Sequence, residues 1–301
     1  MTFLLLEPFS YAYMSNAIWL STLVGAVCGC LSAFLMLKGW SLIGDALAHS
    51  VVPGVAVAYL FALPFSFGAF IAAGLAALSM LFFSNYTGLK TDVVIGVIFT
   101  SFFGLGLFIA SLYPASIQIE TIVMGNILAI TPEDRLQLIL MSIIIFAILV
   151  FKWKDLMVIF FDENHARSIG LSVKRLKLLF FAMLAICIVA ALQAVGAILV
   201  VAMVITPGAT AYLLCDRFGR LILLSMAIGA LTSFIGAYSS YHLNGATGAV
   251  IVSLQTILFL FVFIFAPKHG LFAYQRKARL TLEEKREKTA LIIQQKGQKN
   301  G

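Results

Sequence analysis

The sequence predicts an all-α, polytopic membrane protein of eight or nine transmembrane helices, and three observations predict it. Of 301 residues, 62% are hydrophobic and only 11% charged, against about 45–50% and about 25% in soluble domains. A soluble globule of this length would lack the polar residues to cover its surface. Apolar runs of about 20 residues, long enough to cross about 30 Å of hydrocarbon as helix, recur along the chain. Finally, the basic residues fall almost entirely in alternate connections between those runs, as the positive-inside rule requires.

Taken in order, the runs cover 16–37, 41–62, 66–83, 92–113, 135–151, 173–193, 195–214, 221–241 and 246–266. The third and fifth are short, and a broken or re-entrant segment among the nine would reduce the count to eight. The first run carries Gly25, Gly29 and Ala33 at helical spacing, and the eighth carries Gly229, Ser233 and Ala237. Such faces let backbones approach closely in lipid. With the C-terminus cytoplasmic and the N-terminus outside, 19 of the 20 Lys and Arg residues lie on the cytoplasmic side and only Arg135 lies outside. Topology and an anionic leaflet therefore explain the +7 net charge without a nucleic-acid partner. Residues 1–272 are expected to form the transmembrane domain and 273–301 a basic cytoplasmic tail, whose mixed Lys and Glu suit a solvated helix at the membrane surface.

The first basic residue is Lys38, so no signal-peptide n-region is present and the N-terminus is expected to be retained. Four cysteines, Cys28, Cys30, Cys187 and Cys215, have neither disulfide-framework nor zinc-site spacing and are expected to pack. Cys28 and Cys30 are about 200° apart around a helix, so their thiols diverge.

Of 13 acidic residues, one falls inside a span, Asp45, and His49 follows it four residues later. An ionisable residue at membrane depth marks a pathway or site by default. On a helix the two side chains share one face, about 6 Å apart along the axis, so a carboxylate oxygen and an imidazole nitrogen can reach a common ion. Four residues further, Pro53 cannot donate to the carbonyl of His49 and its ring kinks the helix there. Oxygen with imidazole suits Mn, Fe or Zn, and no thiolate neighbours the pair. A buried hydrogen-bonded pair that locks helices together is the other reading of the same spacing, and Asp45 is near enough to the cytoplasmic start of its span to snorkel.

Asp162-Glu-Asn-His-Ala-Arg-Ser-Ile-Gly170, between the fifth and sixth spans, reads as a short polar helix with acids at its start and Gly170 closing it. It could dock a soluble partner or be an ordinary connection, and His165 within it reads as a surface or packing residue. In the seventh span Thr206-Pro207-Gly208 predicts a broken ladder at Met203, hence a kink or a cavity lining. Glu120, His242 and Asn244 are polar residues of the outer loops, available to a cargo-delivering protein. The chain contains no Walker A, G-x-S-x-G, H-E-x-x-H or G-x-G-x-x-G pattern, so it is expected not to hydrolyse ATP itself.

Gly44-Asp-Ala-Leu-Ala-His-Ser50 with Pro53-Gly54 resembles the signature of the metal-import permeases of ATP-binding-cassette transporters. Val195 to Ala211, Thr247-Gly-Ala249 and Ala266-Pro-Lys-His-Gly270 are similar to further segments of that family, and the resemblance covers roughly residues 10–272. It implies two cytoplasmic ATP-binding subunits, an extracytoplasmic metal-binding protein and a second permease subunit, identical or paralogous, in the inner membrane. It implies no permanently bound cofactor and a transported divalent metal, manganese, iron or zinc, with the chelated-iron and manganese branch the most similar. Asp45 and His49 map to the translocation pathway. Residues 162–170, Asp162 among them, map to the helix that couples to the ATPase, where Glu163, Ala166 and Gly170 follow the pattern and Asn164-His165 depart from it. The rival readings are a proton-coupled secondary transporter using Asp45 and His49, and an intramembrane enzyme, which the lack of a second acid or nucleophile at membrane depth disfavours.

Overall fold

The structure, a computed structural model, describes residues 7–113, 130–266 and 270. Glu120 and the tail 273–301 lie outside the described residues. The main helices are α1 (Ala12–Lys38), α2 (Ser41–Ser50), α3 (Val52–Leu60), α4 (Phe65–Tyr86), α5 (Thr91–Leu112) and α6 (Pro132–Phe161), followed by α7 (Glu163–Ser168), α8 (Val173–Val195), α9 (Ala197–Leu214), α10 (Phe218–Leu243) and α11 (Thr247–Phe265). No strand occurs among the described residues. Eight helical segments are long and apolar enough to cross a membrane, α2 and α3 counting together, and α9 supplies a shorter apolar ninth, Leu199–Leu214.

The short span is therefore the seventh, and not the third or fifth as expected. The third extends to 22 residues and the fifth to 30. In α6 the helix begins at a Thr131 cap that accepts the Asp134 N–H, with Pro132 in its first turn. It then continues through Lys152-Trp-Lys-Asp155, where Lys152 and Asp155 pair at 3.0 Å. Charges near a span end mark the interface without ending the helix. α8 and α9 are joined by Gly196 alone, whose φ of 80° and ψ of 165° only glycine adopts without strain.

The first span is the centre of the bundle and packs along α10 and α9. The small-residue stripes of the first and eighth spans pack against each other: a Cβ on Gly25 would lie 2.5 Å from the Gly229 carbonyl oxygen, and Ser225 donates its hydroxyl to the Gly29 carbonyl. Cys28 of α1 and Cys187 of α8 bring their thiol sulfurs to 3.4 Å in the interior, a contact that no sequence spacing announces. Towards the end where α1 closes, an aromatic knot joins four helices. Phe34 meets Phe218 at 5.1 Å, Phe160 meets Phe180 at 4.7 Å, and Trp40 meets Phe160 at 5.5 Å. These edge-on contacts fix the base on which the 162–170 connector sits.

Candidate translocation site and connector helix

α1 ends in a left-handed Gly39, φ 72°, and the chain is anchored at once by buried Trp40. This sets the entry of α2, which buries Ile43, Ala46 and Leu47 and leaves Asp45 and His49 partly exposed on another face. His49 Nε2 lies 3.3 Å from Asp45 Oδ1, so the two sequence-predicted residues do share one face and touch. Their side chains keep 27% and 41% of their exposure, respectively, which leaves both reachable by an ion. From α5, Phe99 and Phe103 meet the imidazole edge-on with centroids at 5.7 and 5.5 Å. These two rings, absent from any sequence expectation, hold the imidazole plane; their i, i+4 spacing on the fourth span was the available signal.

The helix breaks two residues beyond His49. Val51 separates α2 from α3, and Pro53 lies in the first turn of α3, where its missing N–H is least costly. The His49 carbonyl, denied the Pro53 donor, takes the Val51 N–H of the turn instead of standing free. The second half is pinned by glycines: a Cβ on Gly54 would fall 2.8 Å from the Gly68 carbonyl carbon of α4, and one on Gly106 of α5 would meet the Pro53 nitrogen at 2.8 Å.

Pro207 does not end its helix. α9 runs on through it. Ser32 of α1 accepts the Gly208 N–H at 2.9 Å and donates to the Ile205 carbonyl at 3.1 Å, so a neighbouring helix bonds the backbone on either side of the proline. Ser32 is fully buried and was not among the expected functional residues.

The connector forms the expected short helix, α7, but its named residues divide. Asp162 caps it, accepting from the Asn164 N–H at 2.8 Å and the His165 N–H at 3.1 Å. Those bonds hold its carboxyl below the usual carboxylate range. Gly170, φ 83°, closes the helix: its N–H reaches the Arg167 carbonyl and the Leu171 N–H reaches Ala166. Glu163 and Ala166 instead face the bundle. Ala166 is fully buried, and Glu163 pairs with Lys177 of α8 at 2.8 Å and Lys38 of α1 at 3.0 Å. Burial pushes the Glu163 carboxyl up, but the hydrogen bonds from Lys177 and Lys38 outweigh it and the net shift is downward. Lys38 also lies 5.8 Å over the Trp40 ring. The outward surface of the connector is made by Asn164, His165, Arg167, Ser168 and Ile169.

Among the described residues, no three His, Cys, Asp or Glu side chains converge as a metal cage. A cation beside Asp45 and His49 would take two ligands from this chain.

Sequence relatives match nearly the full length. The chelated iron transport system membrane protein YfeC of Yersinia pestis is 60% identical over 92% of this chain and 94% of its own length. The manganese transport system membrane protein MntB of a Synechocystis species is 42% identical over 91% and 90%, respectively. Among solved structures, PsaBC from Streptococcus pneumoniae in complex with Fab superposes with a TM-score of 0.79 at 34% identity, covering 89% of this chain and 98% of that one. An inward-facing metal-chelate type ABC transporter, at 18% identity and a TM-score of 0.59, shares the fold. The ABC 3 transport family pattern spans residues 10–266. With that match lying over a bundle of eight long apolar helices and a ninth shorter one, the chain belongs to the ABC 3 transport family, as a multi-pass inner-membrane permease subunit.

Proposed function

We propose that this permease carries a divalent transition metal inward, manganese or iron and on the same ligand chemistry zinc, driven by ATP hydrolysis on separate cytoplasmic subunits. An extracytoplasmic metal-binding protein delivers the ion, and a second permease subunit completes the pathway. The N-terminus lies outside and the C-terminus inside, by the placement of the basic residues. The observation that carries this reading is the Asp45–His49 pair, in contact at 3.3 Å, partly exposed, and one turn from a helix break. Carboxylate and imidazole bind first-row divalent ions. Two ligands per chain give a stop weak enough to release the ion, whereas a closed four-ligand cage would retain it. The names of the relatives, chelated iron at 60% identity and manganese at 42%, support the same class of cargo.

ATP-driven closure is transmitted through α7. Asn164, His165 and Ile169 meet the ATP-binding subunit, while Glu163 and Ala166 hold the helix to the bundle. The test is uptake of radiolabelled manganese, iron and zinc in cells lacking other importers, for the wild type, Asp45→Asn and His49→Ala at equal membrane expression. Loss of one metal in both variants, with the ATPase still assembled, is the expected result and names the cargo. Normal uptake in both makes the pair structural and overturns the pathway. Uptake that survives an inactive ATPase but collapses with the proton gradient would replace the reading with proton-coupled transport.

A further inference from the structure

Where α4 ends against the start of α8, a groove of about 730 Å³ opens beside the connector. Its charged lining residues are Arg167, Lys174 and Lys177. Its apolar wall is made by Leu78 and Phe82 of α4 and Leu178 of α8, which are 50%, 57% and 45% exposed, respectively. Glu163 pairs with Lys177 and approaches Arg167 at 4.0 Å, so one carboxylate stands against three cations. The excess is placed where the helix dipole makes it worse. α8 opens Val173-Lys-Arg-Leu-Lys177, cations at the positive end of a 23-residue helix, and its N-cap Ser172 makes no side-chain cap bond. The geometry asks for an anion here, and the three exposed apolar side chains ask for more than a soluble one. Leu78 and Phe82 lie in the last turns of the third apolar span and Leu178 in the first turns of the sixth.

We propose that this groove binds an anionic phospholipid, with its phosphate between Arg167 and Lys174 and its acyl chains along Leu78, Phe82 and Leu178. Such a lipid braces the connector against α4, beside the ion pairs that Glu163 makes with Lys177 and Arg167. The inference rests on this end of the bundle lying at the cytoplasmic leaflet and is independent of the metal cargo, so binding to the purified chain stands or falls apart from transport.

The full chain in neutral detergent is titrated with phosphatidylglycerol, phosphatidylcholine, glycerol phosphate and inorganic phosphate, and bound lipid is counted by native mass spectrometry. Phosphatidylglycerol is expected to be retained about thirtyfold over phosphatidylcholine, as befits two interfacial cations. The Arg167→Gln/Lys174→Gln chain is expected to lose that preference. Lys174→Arg is expected to keep it, and so is Lys152→Gln, which removes a cation of α6 outside the groove. Variants are compared only at a wild-type elution profile, and photo-crosslinking of lipid from position 82 tests the wild-type fold directly. Equal retention of the two lipids, an unchanged preference in the double variant, or no crosslink overturns the proposal. Competition by glycerol phosphate or inorganic phosphate overturns it in favour of a soluble-phosphate site.

Discussion

Replacing Glu163 with glutamine separates anchoring of the connector from contact with the ATPase. The carboxylate makes two charge-assisted bonds, to Lys177 at 2.8 Å and to Lys38 at 3.0 Å, and its side chain is 26% exposed. Hydrogen bonds to charged groups contribute about 1.5–3 kcal/mol when well buried, and exposed pairs about 0.2–1 kcal/mol. A site a quarter open to solvent falls between, near ~1 kcal/mol per bond. Both lysines bond Oε1, which glutamine keeps, so the loss is the charge that assists the two bonds, and the docked connector should lose about 1–2 kcal/mol, a factor of roughly 5–30 in its docked population. In proteoliposomes containing the permease and its ATPase, uptake per ATP hydrolysed is expected to fall by about that factor while ATP hydrolysis itself persists. Lys38→Gln and Lys177→Gln should each reproduce part of the loss, and either combined with Glu163→Gln should add little, because the partners act as one unit. Unchanged coupling in Glu163→Gln, or full additivity with both lysine variants, would refute the anchoring argument. A loss of ATPase binding in Glu163→Gln would also refute it, by making Glu163 a contact residue after all.

Three other perturbations follow from the same geometry. Ser32→Ala removes the hydroxyl shared by the Gly208 N–H and the Ile205 carbonyl, leaves a buried amide without its partner, and should cost about 1–3 kcal/mol, read as a lower melting temperature in detergent. Gly229→Val forces a side chain to within 3.0 Å of the Gly25 backbone, where nothing can yield, whereas Gly74→Val of α4 meets open space; folded yield should collapse for the first and hold for the second. Because the Glu163 carboxyl titrates below its ordinary value of 4.5, its contribution is fully present above that pH and is lost only as pH falls through the lower folded value. Proteolysis of the connector should therefore be flat from neutral pH down to about 5 and rise only below about 4, and a rise near pH 6 would assign the docking to a histidine instead.

The sequence carried the spans because lipid requires them: each run must bury its own backbone bonds, and composition reports that directly. It misplaced ends where charge and helix coincide, as at Lys152–Asp155, since interfacial charges neither start nor stop a helix whose i, i+3 pairs they form. Asp45 and His49 were legible because four residues of helix bring them together with no help from the fold. The direction of Glu163 was not, because its partners Lys38 and Lys177 come from the ends of two other helices, one of them 125 positions away. An acidic residue at the start of a short polar helix reads as a docking contact until those ends are in place.

The two prolines make the limit plain. Pro53 and Pro207 are the same chemistry in the same kind of apolar span, and the same backbone argument predicts a break at each. The outcome depends on what lies across from the disturbed ladder. Opposite Gly208 stands the Ser32 hydroxyl, able to accept from one backbone group and donate to another, and the helix continues. Around Pro53, Gly68 and Gly106 bring their backbones against Gly54 and Val52, the Ser50 hydroxyl is spent on the Ala46 carbonyl, and the span divides at Val51. In the seventh span the repair comes from a neighbouring helix and fixes α9 against α1. In the second it comes from the turn itself, where the Val51 N–H takes the His49 carbonyl, and the division sits beside the carboxylate and imidazole of the proposed pathway.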